Sequence, residues 1–190
     1  MGELSNHTLV PGGPPGAILP GMDRSARNDR GPGDRLLCDV MLGRLARWLR
    51  ALGHDTAYDH AADDAGLLRR AARERRILVT RDTRIAAPPR VRLVLLRAND
   101  TPGQLRELAG ALDLGRLPER PTRCLACNAR LRRASADEIE ARAPDHVRAT
   151  QRDFRVCRGC GRVYWPGTHS RKLAAELERA LAGAIRRDED

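Results

Sequence analysis

The chain has 190 residues, with 35 Lys and Arg against 25 Asp and Glu, a formal charge of +10 and a pI near 10.7. That length holds one ordinary domain and a small second one, and 41% apolar residues suffice for a core of Leu, Ala, Val and Ile, since only 3% are aromatic. No apolar run approaches the roughly 18–20 residues of a membrane span, no signal-peptide layout opens the chain, and five cysteines, four of them in CxxC pairs, fit a metal site in a soluble cytoplasmic protein better than a disulfide framework.

Residues 1–34 ("PGGPPGAILPGM", "NDRGPGD") are rich in Gly, Pro and Asn without sustained periodicity, and are expected to be disordered. Ordered patterning begins at Arg35. Leu36–Val40 reads as a short apolar strand. It runs into "MLGRLARWLRALG", where Leu42, Leu45, Ala46, Leu49 and Leu52 recur at helical spacing and Gly53 supplies the stop. Residues 54–59 form a brief second strand. Asp63 or Asp64 caps a helix running to about Arg75, with Leu67, Leu68, Ala71 and Ala72 inward. Ile77–Thr80 is apolar on both faces, as a buried parallel strand requires. A further strand spans 91–97, and Thr101-Pro102 opens the next helix as N-cap and first residue. Strands alternating with helices predict right-handed βαβ units, a parallel sheet and a three-layer α/β domain.

"GRLPERPTR" (115–123) reads as a linker. Beyond it, Cys124 and Cys127, a gap of 29 residues, then Cys157 and Cys160 offer four thiolates to one structural Zn²⁺. Asn128 and the glycines at 159 and 161 ease the two turns. A final amphipathic helix is expected near 170–187. Cys38 stands apart as a buried strand cysteine.

In open parallel sheets ligands bind beyond the carboxyl ends of the strands. Asp39, Asp82 and Asp100 are expected at that edge, with Asp63 or Asp64 on the helix beside it. Two carboxylates about 4 Å apart repel by roughly 4 kcal/mol at an effective dielectric near 20, so such a cluster calls for a divalent cation or a shared proton. All-oxygen donors suit Mg²⁺ or Mn²⁺, which can activate water against a phosphoryl centre. Each acid also has a plain reading as a cap, and Asp39 is the hardest to explain that way. Arg44, Arg47 and Arg50 recur every three residues on the first helix, and Arg81 abuts Asp82. They are candidate phosphate contacts, with Arg50 better read as part of a solvated face. Trp48 reads as core. Tyr164, Trp165 and His169, in "VYWPGTH", are ribbon residues or a base-stacking and phosphate-contacting surface. The charge itself has two readings, an anionic partner such as nucleic acid or the arginine usage of a GC-rich genome, since Lys172 is the only lysine.

"CDVMLGRLARWLRALGHDT", "RILVTRD", "RCLACNARL" and "FRVCRGCGRVYWPGTH" occur in that order over residues 36–169. This succession resembles the Mut-seven C-terminal RNase domain family, a PIN-like nuclease fold followed by a zinc ribbon. The resemblance implies an α/β PIN-like domain over 35–117 and a zinc ribbon with C-terminal helix over 118–190. It implies a metal-dependent ribonuclease acting on single-stranded RNA. Asp39, Asp64 and Asp82 would be its Mg or Mn ligands, with Asp100 as the fourth acid. Cys124, Cys127, Cys157 and Cys160 would hold one structural zinc, and Trp165 and His169 fall in the family's closing motif; with Arg44, Arg47 and Arg81, read above as phosphate contacts, they are the candidate substrate contacts. Rival readings are a non-catalytic RNA-binding or adaptor module and, more weakly, a phosphatase using the same metal site.

Overall fold

The computed structural model describes residues 33–185. The expectation for residues 1–34 therefore lies almost wholly outside the described residues. Four strands, β1 (Leu36–Cys38), β2 (Thr56–Tyr58), β3 (Ile77–Thr80) and β4 (Leu93–Leu95), form one parallel sheet in the order β2-β1-β3-β4. Helices α1 (Gly43–Ala51) and α2 (Asp64–Glu74) are the crossovers from β1 to β2 and from β2 to β3; β3 reaches β4 through a loop without a helix, and α3 (Thr101–Ala111) follows β4.

The sheet is covered on both faces because its strands are apolar on both. Leu36, Cys38, Ile77, Val79 and Val94 pack with Leu45, Trp48 and Leu49 of α1 and Leu105 and Leu108 of α3. Leu37, Leu78 and Leu93 point the other way, onto Leu67 and Ala71 of α2. These are the three layers expected from the sequence, with Trp48 in the core. Local signals fix the ends. Gly53 follows α1 at φ 93°, where a side chain would be strained. Asp63 caps α2 through a 2.7 Å bond from the Gly66 amide.

Several boundaries differ from expectation: β2, expected over 54–59, spans Thr56–Tyr58, and β4, expected over 91–97, spans Leu93–Leu95. β1 stops at Cys38, because Asp39 turns its side chain to cap a one-turn 3₁₀ helix (Val40–Leu42) ahead of α1. Asp100, and not Thr101, caps α3, accepting from the Gly103 amide at 2.5 Å.

The second half holds a three-stranded antiparallel sheet of β5 (Leu131–Arg133), β6 (Arg155–Cys157) and β7 (Val163–Tyr164). Between β5 and β6 lie two short helices with no counterpart in the sequence reading, α4 (Ala136–Arg142) and α5 (Asp145–Thr150). A capping box of Ser135 and Glu138 starts α4. The last helix, α6 (Thr168–Ile185), returns to α3, and its Leu177 and Ala180 join the core of the parallel sheet. Among the described residues no helix is long and apolar enough to cross a membrane.

Polar groups tie the two sheets together. Arg50, expected on a solvated face, is 5% exposed. Its Nε donates to the Thr56 carbonyl at 2.9 Å, and its Nη1 donates to the carbonyls of Leu125 and Ala126, each at 2.9 Å. The threefold Arg spacing placed it on the helix flank that the first cysteine turn covers, a contact 75 residues away in sequence that periodicity cannot show. Asn128, at φ 70°, accepts the Thr56 amide through Oδ1 and donates to Asp55 Oδ1. β2 is thus an edge strand whose exposed backbone groups are bonded by Arg50 and Asn128. Beside them Arg76, also buried, is held by Glu74 at 2.6 Å and by the same Asp55 at 2.7 Å.

His54 is 1% exposed, with Nε2 on the Leu114 carbonyl at 2.9 Å and Nδ1 without a partner. Burial depresses its pKa below the ordinary 6.5, outweighing the carbonyl bond that favours the charged ring. A buried neutral His binds its proton less readily folded than unfolded. Stability from this site is therefore present above pH 6.5 and is lost as pH falls through the depressed folded value. The thermal midpoint should drop between pH 7 and pH 5.5, and His54→Asn should flatten that dependence, with zinc content followed alongside. An equally steep fall in the variant would assign it to other groups.

Candidate active site and metal centre

The strand order places the sheet's reversal point between β1 and β3, where chains leave in opposite directions and open a crevice. Asp39 follows β1 there and Asp82 follows β3 by two residues. Thr80, the last residue of β3, joins them. Its hydroxyl donates to Asp39 Oδ2 and accepts the Asp82 amide at 2.9 Å. Asp39 also takes the Arg81 amide on Oδ2 at 3.2 Å and the Met41 amide on Oδ1 at 2.9 Å. The side chain is 3% exposed. It is at once a cap and a fixed carboxylate at the mouth of the sheet.

Asp82 is held differently. Its Oδ1 accepts the Arg84 amide at 2.8 Å and Arg84 Nε at 3.0 Å, and Oδ2 accepts Nη2 at 2.8 Å. These bonds, first that of the guanidinium, bring its pKa down to about 2. Arg84 itself is 84% exposed, so the pair is a surface clasp. Asp64 lies in the first turn of α2, exposed, and acts on Arg84 through its charge. Asp100 is taken up as the α3 cap. Among the described residues Asp39, Asp64, Asp82 and Asp100 do not gather into one tight metal-binding group; the group that does is made of cysteines.

Arg81 bonds through Nη2 to Asn99 Oδ1, while its Nε is buried without an acceptor. Arg44 lies 5.6 Å over the Trp48 ring and 3.5 Å from Glu176. Arg47 is exposed on α1. Trp165 is half-buried against Phe154, their ring centres 6.3 Å apart. His169 is exposed in the first turn of α6. One site feature carries no signal in the sequence: the hydroxyl bridge of Thr80, the last residue of an otherwise apolar strand.

The Sγ atoms of Cys124, Cys127, Cys157 and Cys160 lie within 4.8 Å of one another. Cys124 and Cys160 are 3.6 Å apart and Cys127 and Cys157 3.4 Å, close to the about 3.8 Å edge of a tetrahedron with 2.3 Å Zn–S bonds. Amides of Cys127 and Cys160 point at Cys124 and Cys157 Sγ at 3.4 Å each, as bonds to thiolates do. Burial pushes the Cys124 thiol up, but the Tyr164 hydroxyl at 3.0 Å and nearby amides outweigh it and bring the thiol down to about 6. The donor set fits a closed structural site for a soft-ligand metal such as zinc. Cys38, by contrast, is fully buried, and burial pushes its thiol far above the reactive range.

A family model described as the Mut7-C RNAse domain matches residues 34–177. No curated protein and no solved structure matches the chain.

Proposed function

The chain belongs to the Mut7-C RNase domain family, and from that premise we propose that it is a cytoplasmic, PIN-like, metal-dependent ribonuclease. Its substrate is single-stranded RNA, cleaved by hydrolysis of phosphodiester bonds at the carboxyl edge of the parallel sheet. The observation that carries the reading is the Thr80 hydroxyl at the sheet's reversal point, which donates to the Asp39 carboxylate and accepts the backbone amide of Asp82. Mg²⁺ is commonly held by one or two carboxylates together with substrate phosphates, so two acids suffice as protein ligands. The residues fit such an ion: Asp39 Oδ1 carries one protein bond, and the Asp82 carboxylate already attracts a cation, the Arg84 guanidinium. A divalent ion held there supplies charge neutralisation and a water of lowered pKa. Arg81, whose amide bonds Asp39 and whose Nε has no acceptor, orients the phosphate, and Asp64 adds negative charge next to Arg84. Four free thiols in zinc geometry suit a reducing compartment.

A second reading, an RNA-binding module without turnover, draws support from the protein bonds that Asp39 and Asp82 already accept within the chain. Cleavage of labelled single-stranded RNA with Mn²⁺ or Mg²⁺ by the zinc-loaded protein separates the two, with the Asp39→Asn/Asp82→Asn variant as control. Turnover that vanishes in the variant supports the nuclease; RNA bound but never cut supports the module.

A further inference from the structure

An open groove of about 570 Å³ runs between α1 and the cysteine module. It is lined by four arginines and three aromatic rings and by no acid. Arg47 enters from α1, Arg142 from the end of α4, and Arg162 from the turn between β6 and β7. Tyr164 and Trp165 form the far wall. Arg50 is spent on backbone carbonyls, and Arg142 donates to the Gly161 carbonyl at 2.6 Å. The guanidiniums of Arg47 and Arg162 make no hydrogen bond or ion pair with any described residue. Three unneutralised guanidiniums facing one cleft raise one another's electrostatic energy, and an anionic chain is the ligand that relieves it.

The groove also leads to the acids. Tyr58 lines it at one end, and its hydroxyl donates to the carbonyl of Val40, next to Asp39, at 3.1 Å. Its ring lies against Gly43, where a Cβ would sit 3.1 Å from it. The groove wall is thus bonded to the residue that follows Asp39.

We propose that this groove holds an unpaired stretch of RNA flanking the bond to be cut, with phosphates on Arg47, Arg142 and Arg162 and a base against Trp165. The identity of the occupant rests on the ribonuclease reading. The aromatic wall favours a single strand, because paired bases in a duplex are stacked inside and present no face to a side chain. Tyr164 gives the groove a second dependence: its ring forms the wall while its hydroxyl bonds Cys124 Sγ at 3.0 Å and accepts the Leu125 amide at 3.2 Å. The wall is positioned by the cysteine centre.

The test is binding of a short labelled single-stranded RNA, and of the same RNA annealed to its complement, to the full zinc-loaded chain without Mg²⁺ or Mn²⁺. Arg47→Gln/Arg162→Gln should weaken single-strand binding and reduce the log–log salt slope by about 1.4, twice the about 0.7 per phosphate contact on single strands. Trp165→Ala should weaken it about 5- to 150-fold with the slope unchanged, Trp165→Phe should retain most of the affinity, and duplex binding should ignore both. Wild-type affinity in the arginine pair and in Trp165→Ala, while the wild type cuts RNA, overturns the groove and spares the nuclease. Groove-dependent binding with no cutting does the reverse. Equal Trp165 dependence for duplex overturns the single-strand assignment.

Discussion

Chelating the ion of the four-cysteine centre, or replacing Cys157 with serine, should unfold the ribbon and loosen the edge of the neighbouring parallel sheet. The ribbon strands are three, three and two residues long, and the cluster beneath them has three buried residues, Ala143, Val147 and Phe154. A three-stranded sheet with so small a core does not offset the cost of ordering its chain, roughly 1–2 kcal/mol per residue. Zinc bound by such a site contributes on the order of 10–16 kcal/mol. The effect should reach past the ribbon, because the first cysteine turn bonds β2. Leu125 and Ala126 carbonyls hold Arg50, and Asn128 accepts the Thr56 amide at 3.0 Å. Without that turn, the Thr56 amide and the Arg50 guanidinium face water or go unpaired. Zinc release on chelation should approach one equivalent, and hydrogen exchange at the Thr56 amide should accelerate with it. A metal-free chain whose ribbon spectrum and Thr56 protection are unchanged would mean that the cysteines form no metal centre.

Much of this architecture was legible from short patterns. Period and punctuation located every strand of the parallel sheet and the three helices packed on it, because those signals are local: apolar runs, Asp63, Gly53. The cysteine spacing announced a four-thiolate site whose sulfurs are indeed gathered. What stayed hidden depends on distant contacts. Arg50 looks like any surface arginine until the cysteine turn is laid on it, and α6 looks like a ribbon appendage until Leu177 meets the α3 side of the sheet core. α4 and α5 are short, and only Val147 among their residues is buried, so no apolar stripe marks them. At the acidic edge the sequence supplied the residues and not their bonds. Asp100 is a helix cap, and Asp39 caps a turn while also accepting the Thr80 hydroxyl that bonds the Asp82 amide. A carboxylate in one letter code does not reveal how many of its lone pairs the backbone has already taken.

Asp82→Asn should abolish metal-dependent RNA cleavage with little loss of stability, and Arg84→Gln should lower the Mn²⁺ concentration needed for it. The two acids differ in what else they do. Asp39 accepts from Met41, Thr80 and Arg81 while 3% exposed, so Asp39→Asn turns an NH₂ toward one of those donors and costs about 1–3 kcal/mol of stability alongside any activity. Asp82 is bound chiefly by Arg84, which is exposed, so its amide variant leaves the core untouched. Changes to groups that merely orient a metal ligand cost about 10- to 100-fold in affinity or activity, so loss of a ligand itself should exceed about 100-fold. Arg84 makes the sharper argument. Its guanidinium occupies both oxygens of Asp82 and holds the acid's pKa near 2, the same carboxylate that a divalent ion must take. Guanidinium and metal then compete, and removing the guanidinium favours the metal. The acid's pKa should rise toward its ordinary 3.8, still well below neutral, so Asp82 stays ionised at pH 7 in the variant and the gain cannot come from titration. A metal requirement that is unchanged or higher in Arg84→Gln would show that Arg84 is not a competitor. It would point to Arg84 as a positioning residue for Asp82, and activity at saturating Mn²⁺ would then fall with it.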